Sequence, residues 1–426
     1  MRPWRGAAAP KGGHAIDLLQ GGDALFPAME RALLDARHEV WLASYIVHTD
    51  AASERLLATL LRVAKAGVRV RLVVDGFGSR HALGWWRERL AGSSVVLAVF
   101  RPIDRWWHWF QPGQLRRLHL KLCVVDGHVA FVGGINLIDD RIDLHHGALA
   151  AARLDFAVRL EGPVVAEVER QLRRLWARSW LGRDFGDELR NLVFNPEPIR
   201  RAGEWVQTRL TGLGSALQRA RQQLLQRKQE PQDLSPVRVA YVLRDNLRNR
   251  HAIEREYLHA LRGAQQRFDL ICPYFYPSAR LLRALMAAAR RGVQVRLLLQ
   301  GQADYKIARW AAQALYAALL ARGVQVFEYE AAFLHAKVAA ADDEWATVGS
   351  SNLDPTSLLL NLEANVVVYD AAFTAALRTA FEHALQGSRP VPPQAAPSGL
   401  RGWVQRLWVA WLAQVYLRAA GGDERY

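Results

Sequence analysis

Sulfur is scarce in this chain: 426 residues hold two cysteines, Cys123 and Cys272, and three methionines. Each cysteine sits in or at the end of an apolar run, so both read as buried thiols, and nothing calls for an oxidising compartment. Long hydrophobic runs are missing too. No window of about 18 uncharged apolar residues occurs, so no spanning helix is expected. The N-terminal stretch MRPWRGAAAPKGGHAIDLL lacks an apolar h-region, so no secretory signal is expected either. No Gly-x4-Gly-Lys-Ser/Thr run follows a strand, which removes a Walker phosphate loop. Acidic residues are in deficit: 41 Asp and Glu against 56 Lys and Arg leave a net charge of +15. That surplus calls for an anionic partner, whether nucleic acid, phosphorylated substrate or anionic membrane. The apolar fraction of 51% is that of a globular protein, and the length suits two or three domains.

What is present is a repeat. Leu118 to Asn136 reads LHLKLCVVDGHVAFVGGIN, and Leu334 to Asn352 reads LHAKVAAADDEWATVGSSN. The shared positions are His119, Lys121, Asp126, Gly133, Gly134 and Asn136, then His335, Lys337, Asp342, Gly349, Ser350 and Asn352. The surroundings repeat as well. Val40 to Val47 reads as a buried strand, Ser53 to Ala66 as a helix with apolar residues at Leu56, Leu57, Leu60, Leu61 and Ala64, and Val68 to Val74 as a second strand. Strand, helix, strand is a parallel crossover unit. Phe268 to Tyr274, a helix over Arg280 to Arg290, and Gly292 to Gly301 echo it.

The pattern predicts an α/β fold of two similar lobes, each a mixed sheet flanked by helices, packed with pseudo-twofold symmetry. The expected segments are a first lobe over 1–180, an Arg/Gln-rich connection over 181–235, a second lobe over 236–388, and a Pro-rich break with an apolar tail over 389–426. Smaller expectations are a helix over Leu25 to Ala36 capped by Asp23, one over Val164 to Trp180, and one over Gly214 to Arg227. From Arg170 to Asp233 there are 13 Lys and Arg against 7 Asp and Glu, a solvated linker or a basic surface for phosphate head groups. The tail Trp403 to Leu417 is apolar around most of its circumference. With three tryptophans and one tyrosine it suits the headgroup zone of a membrane, ahead of the alternative of a helix that packs on the protein itself.

His119 and Lys121 are two apart, so a strand places both on one face while Leu118, Leu120 and Leu122 enter the core. If the lobes pack symmetrically, His119 meets His335 at the seam, with Lys121, Lys337, Asn136 and Asn352 around them. Such a cluster of cations repels itself, and a bound phosphate relieves it. Two histidines can divide phosphodiester exchange, one attacking phosphorus and the other moving the proton. Asp155 and Glu363, on the strands after each motif, are candidates to fix the imidazole tautomers. Asp126 and Asp342 complete the motif and belong to the nominated catalytic set, yet they sit in turns and are expected to hold loops. Arg153 and Arg159 are contacts of second rank. No metal is expected, because lysines beside the histidines would repel a divalent cation. The aromatic loop Trp106 to Phe110 is either a lipid entry or a core cluster.

These residues resemble the phospholipase D superfamily, whose mark is a doubled His-x-Lys-x4-Asp motif. HLKLCVVDGHVAFVGGIN, VVDGFGS at Val73 to Ser79, LRDNLRNRHAIEREYLHAL at Leu243 to Leu261 and SSNLDPTSLLLNLEANVVV at Ser350 to Val368 are similar to bacterial cardiolipin synthases, in the form without N-terminal spanning helices. The resemblance runs from about residue 14 to 385. It implies His119 as nucleophile, His335 as general acid and base, Lys121, Lys337, Asn136 and Asn352 as phosphate ligands, and Asp155 and Glu363 as the partners of the histidines. The implied reaction moves a phosphatidyl group from phosphatidylglycerol to a second one, giving cardiolipin and glycerol without cofactor or metal. The implied partners are an anionic phospholipid and a membrane surface, not nucleic acid, and the implied location is the cytoplasmic side of the inner membrane. A phospholipase D-type hydrolase and a nuclease remain the alternatives. One departure is Gly134, where the superfamily often has serine, as Ser350 is in the second copy.

Overall fold

The computed structural model describes residues 9–102, 116–144, 146–194, 236–245, 249–302, 306–354, 357 and 361–392, and for 180–194, 306–308, 310 and 311 the backbone alone. The Trp106 to Phe110 loop, the Gly214 to Arg227 segment and the Trp403 to Leu417 tail lie outside the described residues.

Strands β1 (Ala15–Gln20), β2 (Glu39–Ser44), β3 (Arg69–Asp75), β4 (Val96–Phe100), β5 (Leu122–Val125), β6 (Val129–Gly133) and β9 (Phe156–Glu161) form one sheet in the order β1-β9-β6-β5-β2-β3-β4. Between β6 and β9 a small hairpin, β7 (Ile142–Asp143) and β8 (Gly147–Ala148), stands apart. The second sheet holds β10 (Arg238–Arg244), β11 (Arg267–Cys272), β12 (Gln294–Gln300), β13 (Gln325–Tyr329), β14 (Val338–Ala341), β15 (Trp345–Gly349), β16 (Glu363–Tyr369) and β17 (Ser388–Pro390). Its order is β10-β16-β15-β14-β11-β12-β13-β17. Position by position the two orders match, with β17 added at one edge. The crossover strands β2-β3-β4 and β11-β12-β13 are parallel and the remaining main-sheet pairs antiparallel, so both sheets are mixed. The expected fold class is the observed one.

Local chemistry sets the elements. Helix Ala51–Lys65 starts at Asp50, whose carboxylate accepts the Ser53 N–H at 2.8 Å, and it buries Leu56, Leu57, Leu60, Val63 and Ala64 against the sheet. Its counterpart Ala279–Arg290 starts at Ser278, which accepts the Leu281 N–H. Three cores result. One lies under the outer helices of each lobe, and one is shared: Leu118, Leu120 and Leu122 pack with Leu334, Ala336 and Val338 across the seam.

Three expectations need correction. The first helix is Gly21–Leu34, not Leu25 to Ala36. Gly21, at φ +71°, turns the strand directly into the helix, a corner open to glycine. Asp23 therefore sits in the first turn and pairs with Arg141 instead of capping. The helix expected to stop at Trp180 runs as Val165–Phe194 and enters the segment assigned to the connection. Finally, His119 and Lys121 stand just before the motif strand, which opens at Leu122, and not within it. The chain just before it turns to the other lobe instead: Arg117 O accepts the Leu362 N–H at 2.8 Å and the His119 N–H donates to Leu362 O at 3.0 Å, which together make the Leu118–Leu362 bridge.

Candidate active site

Two short bridges sew the lobes together, and each carries one histidine. Leu118 pairs with Leu362 and Leu154 with Leu334. The His335 N–H donates to Leu154 O at 2.8 Å, the mirror of the His119 contact. The residue after each bridging leucine is thus either a motif histidine or an acid of the opposite lobe. His119 Nδ1 lies 3.0 Å from Glu363 Oε2 and 3.1 Å from Ser350 O, and His335 Nδ1 lies 2.6 Å from Asp155 Oδ2. The carboxylates are exchanged, each histidine being held by the acid of the other lobe. A backbone carbonyl only accepts, so Nδ1 of His119 carries the hydrogen and Nε2 is the nitrogen left for chemistry.

Lys121 Nζ donates to His119 O at 2.9 Å, and Lys337 Nζ to His335 O. Both lysines are buried. Burial, aided by the charge of Lys337, holds Lys121 down to about 7. Burial, with the charge of Arg153, holds Lys337 down to about 8 against the pull of Asp155 and Glu363. His119 is pushed down by burial and by both lysines, with Glu363 opposing. His335 is pushed well down by burial and then by Lys337, Arg153, Lys121 and His119. Asp155 is pushed up to about 7, by burial first, with Lys337 opposing. These mutual effects tie all six groups to one electrostatic centre. An anion bound among them would relieve the charge that holds the two lysines below their ordinary range.

The remaining nominees divide. Asn136 Oδ1 accepts the Ile46 N–H at 3.2 Å, so its N–H donors remain for other partners, and Asn352 is buried with no partner for its Oδ1 among the described residues. Asp126 and Asp342, nominated with the catalytic set, are not brought to the cluster. They follow β5 and β14, about 16 Å of strand away from the lysines that precede them. Asp126 takes the N–H groups of Arg37, His38 and Glu39 at 2.7, 2.8 and 2.7 Å. Asp342 takes those of Gln265, Gln266 and Arg267 at 2.8, 2.8 and 3.1 Å. Both have left-handed backbones, at φ 49° and 45°, which aspartate tolerates. They pin each motif turn to the entry of the neighbouring strand. Arg159 pairs with Asp17 and Glu161 on a strand face and takes no part, whereas Arg153 bonds Ile142 O and Asp143 and its charge reaches His335.

Sequence reasoning missed four supports. Asp75 Oδ2 accepts the Leu118 N–H at 2.8 Å and Gln300 Oε1 the Leu334 N–H at 2.8 Å, so equivalent residues hold the chain one step before each histidine. The echo between Gly67–Gly76 and Gly292–Gly301 was the available signal, because it aligns Asp75 with Gln300. Tyr45 meets the His119 ring edge-on at 5.0 Å, and its own ring lies 5.4 Å from Lys121 Nζ. Arg244, fully buried, is the register partner of Glu363 and donates to Asn361 O.

Two duplicated mixed sheets with a His-x-Lys pair at each side of their seam define a phospholipase D-like protein. The sequence model of the family described as cardiolipin synthase, PLD-like domain, matches residues 29–176 and 257–385. The chain is 36% identical over 371 residues to the cardiolipin synthase B proteins of Shigella flexneri and of Escherichia coli strain K12, covering 86% of this chain and 79% of theirs. Cardiolipin synthase A of Pseudomonas putida is 31% identical over 361 residues, covering 84% of this chain and 66% of that one. Among solved structures, phosphatidylserine synthase from Haemophilus influenzae superposes with a TM-score of 0.62 at 12% identity, covering 96% of this chain and 95% of that one, a likeness of fold. The chain belongs to the cardiolipin synthase family of phospholipase D-like enzymes, whose class is phospholipid transfer. Among the described residues no helix is long and apolar enough to cross a membrane.

Proposed function

We propose that the protein is a phosphatidyltransferase that makes cardiolipin from two phosphatidylglycerols through a phosphohistidine. The observation that carries this reading is the exchanged pair of histidine–carboxylate contacts, which leaves two imidazole nitrogens beside two lysines in one buried centre. Nε2 of His119 attacks phosphorus. The bond from phosphorus to the glycerol oxygen breaks, and that oxygen takes a proton from His335. In the second half, His335 removes the proton from a hydroxyl of the incoming phosphatidylglycerol. Its oxygen attacks phosphorus, the P–N bond breaks, and cardiolipin leaves. One phosphodiester replaces another, so no outside energy source is required.

The assignment of His119 as nucleophile rests on the unequal surroundings of the two rings. His335 shares a short contact with an acid lifted to about 7, and that pair holds one proton near neutrality, as a proton shuttle requires. His119 faces Glu363, which Ser350 and Arg244 flank. Lys121, Lys337, Asn136 and Asn352 take the phosphoryl oxygens as charge grows on them. The enzyme works peripherally at the cytoplasmic side of the inner membrane, consistent with its cationic surplus.

The test is product analysis by mass spectrometry on purified protein with phosphatidylglycerol vesicles, in chelator and without nucleotide. Cardiolipin with equimolar glycerol is expected. Phosphatidic acid as the sole product would make the protein a hydrolase and overturn the transferase reading.

A further inference from the structure

The two lobes carry equivalent pairs of outer helices, and the pairs differ in charge. On the first, Gly21–Leu34 and Ala51–Lys65, both signs are exposed: Asp23 pairs with Arg141, Glu30 with Arg55, and Glu54 stands beside them. On the second, Ala252–Gly263 and Ala279–Arg290, the exposed charges are Arg255, Arg262, Arg280, Arg283 and Arg290, with Arg291 next in the chain. The two acids there, Glu254 and Glu256, are buried. Among the described residues none of those six arginines forms an ion pair. Between the helices runs a groove of about 350 Å³ with Leu258, Leu261 and Ala287 in its floor and Arg262, Arg280 and Arg283 at its rim.

We propose that this helix pair is the face by which the enzyme docks on an anionic phospholipid bilayer, with Arg262, Arg280 and Arg283 taking lipid phosphates. This rests on the reading of the protein as an enzyme of membrane phospholipid. Arg262, Arg280, Arg283 and Arg291 line one groove, and like charges gathered there are relieved by a surface that supplies many phosphates at once. Guanidinium forks match phosphate oxygens, and an aliphatic floor accommodates the stems below them. Among the described residues no aromatic side chain lines the groove, so they offer the bases of a nucleic acid strand nothing to stack on. Position supports the same occupant. Helix Ala279–Arg290 begins three residues after Tyr276, whose N–H donates to Leu353 O, and Leu353 follows Asn352. The start of the arginine-bearing helix therefore adjoins the catalytic edge.

The experiment is sedimentation of the full chain with phosphatidylcholine vesicles, with and without phosphatidylglycerol, against two charge-matched variants. One is Arg262→Glu/Arg280→Glu/Arg283→Glu. The other reverses first-lobe charges, Arg55→Glu/Arg62→Glu/Lys65→Glu. Circular dichroism and melting temperature check that each is folded. Near an anionic surface each arginine changes partition by about fivefold, so the first variant should lose well over tenfold in affinity for phosphatidylglycerol vesicles. The second should lose less than about threefold. Equal losses would show general charge attraction and overturn the proposal, as would unchanged sedimentation of the first variant. Retained vesicle binding with lost binding to single-stranded DNA would assign the face to nucleic acid instead. The product analysis on wild-type protein separates failure of this inference from failure of the transferase reading.

Discussion

In the first lobe the acid on the strand after the motif is Asp155, and Gly134 faces it. In the second lobe the acid is Glu363, faced by Ser350. A Cβ on Gly134 would stand 2.3 Å from Asp155 Oδ1, so that carboxylate fills the space a serine would need. Around Glu363 the space is filled differently: Ser350 Oγ donates to Oε2 at 2.5 Å. Glycine with aspartate and serine with glutamate are thus two packings of one position. The departure noted at Gly134 is compensated by its partner and is not a defect. The difference spreads outward. Glu363 has Arg244 beside it in the strand pairing, whereas the equivalent neighbour of Asp155 is Gly21, whose N–H donates to Asp155 O. Tyr45 stands against His119, and its counterpart in the duplicated lobe is Pro273. One topology therefore carries two unequal half-sites. Two identical histidines would be redundant; two unequal ones can divide attack and proton transfer.

The sharpest test of that inequality uses the histidines. His119→Ala and His335→Ala are each expected to lower transfer from phosphatidylglycerol by at least about 10³-fold, because the proposed mechanism uses both groups in both half-reactions. The variants should separate on a phosphatidyl ester of p-nitrophenol, whose leaving oxygen needs no proton. There His335→Ala should still release a stoichiometric burst of p-nitrophenol and trap the phosphatidyl-enzyme, while His119→Ala gives none. The reverse pattern would exchange the two roles.

A smaller effect probes the packing difference. Gly134→Ser forces Asp155 aside and with it the ring of His335. A displacement of that kind is expected to cost about 10²-fold in kcat/KM, and overpacking about 1–3 kcal/mol of stability. Ser350→Gly removes one hydrogen bond to Glu363 and should cost about 1 kcal/mol, a factor of about five in rate. Equal losses from the two substitutions, by steady-state kinetics and thermal melting, would show that the half-sites tolerate change alike.

Much of this was legible in the sequence because it was written twice. The repeat singled out both histidines and both lysines, which the fold gathers in one centre, and the turn position of Asp126 and Asp342 already pointed to loop-holding. The exchange of carboxylates was not legible. It depends on Leu118 and Leu154 leaving their own sheets to bridge Leu362 and Leu334, a tertiary fact with no periodicity behind it. Tyr45 was invisible for a similar reason: it ends a buried strand among aromatic and branched residues, and only packing aims its ring at His119. Gly21 misled, since a Gly-Gly pair reads as punctuation before a helix and here is the first turn of one.

The smallest signal concerns protons. The folded protein holds Lys121 at about 7 and Lys337 at about 8, against 10.5 for a free lysine. A bound dianion adds opposite charge and raises both. At pH 8 Lys121 is then mostly deprotonated before binding and Lys337 about half so, and binding should take up roughly one proton from solution in all. At pH 6 both lysines already carry their protons, and their share of the uptake should fall toward zero. Calorimetry with tungstate in buffers of different ionisation enthalpy measures this directly. Lys121→Met should remove the larger share at pH 8 and Lys337→Met the smaller, because the lower group has more proton to regain. An uptake that did not grow between pH 6 and pH 8 would mean the two ammonium groups keep their charge in the buried centre. The motif lysines of the two lobes would then be equivalent, and the inequality would be confined to the histidines and their acids.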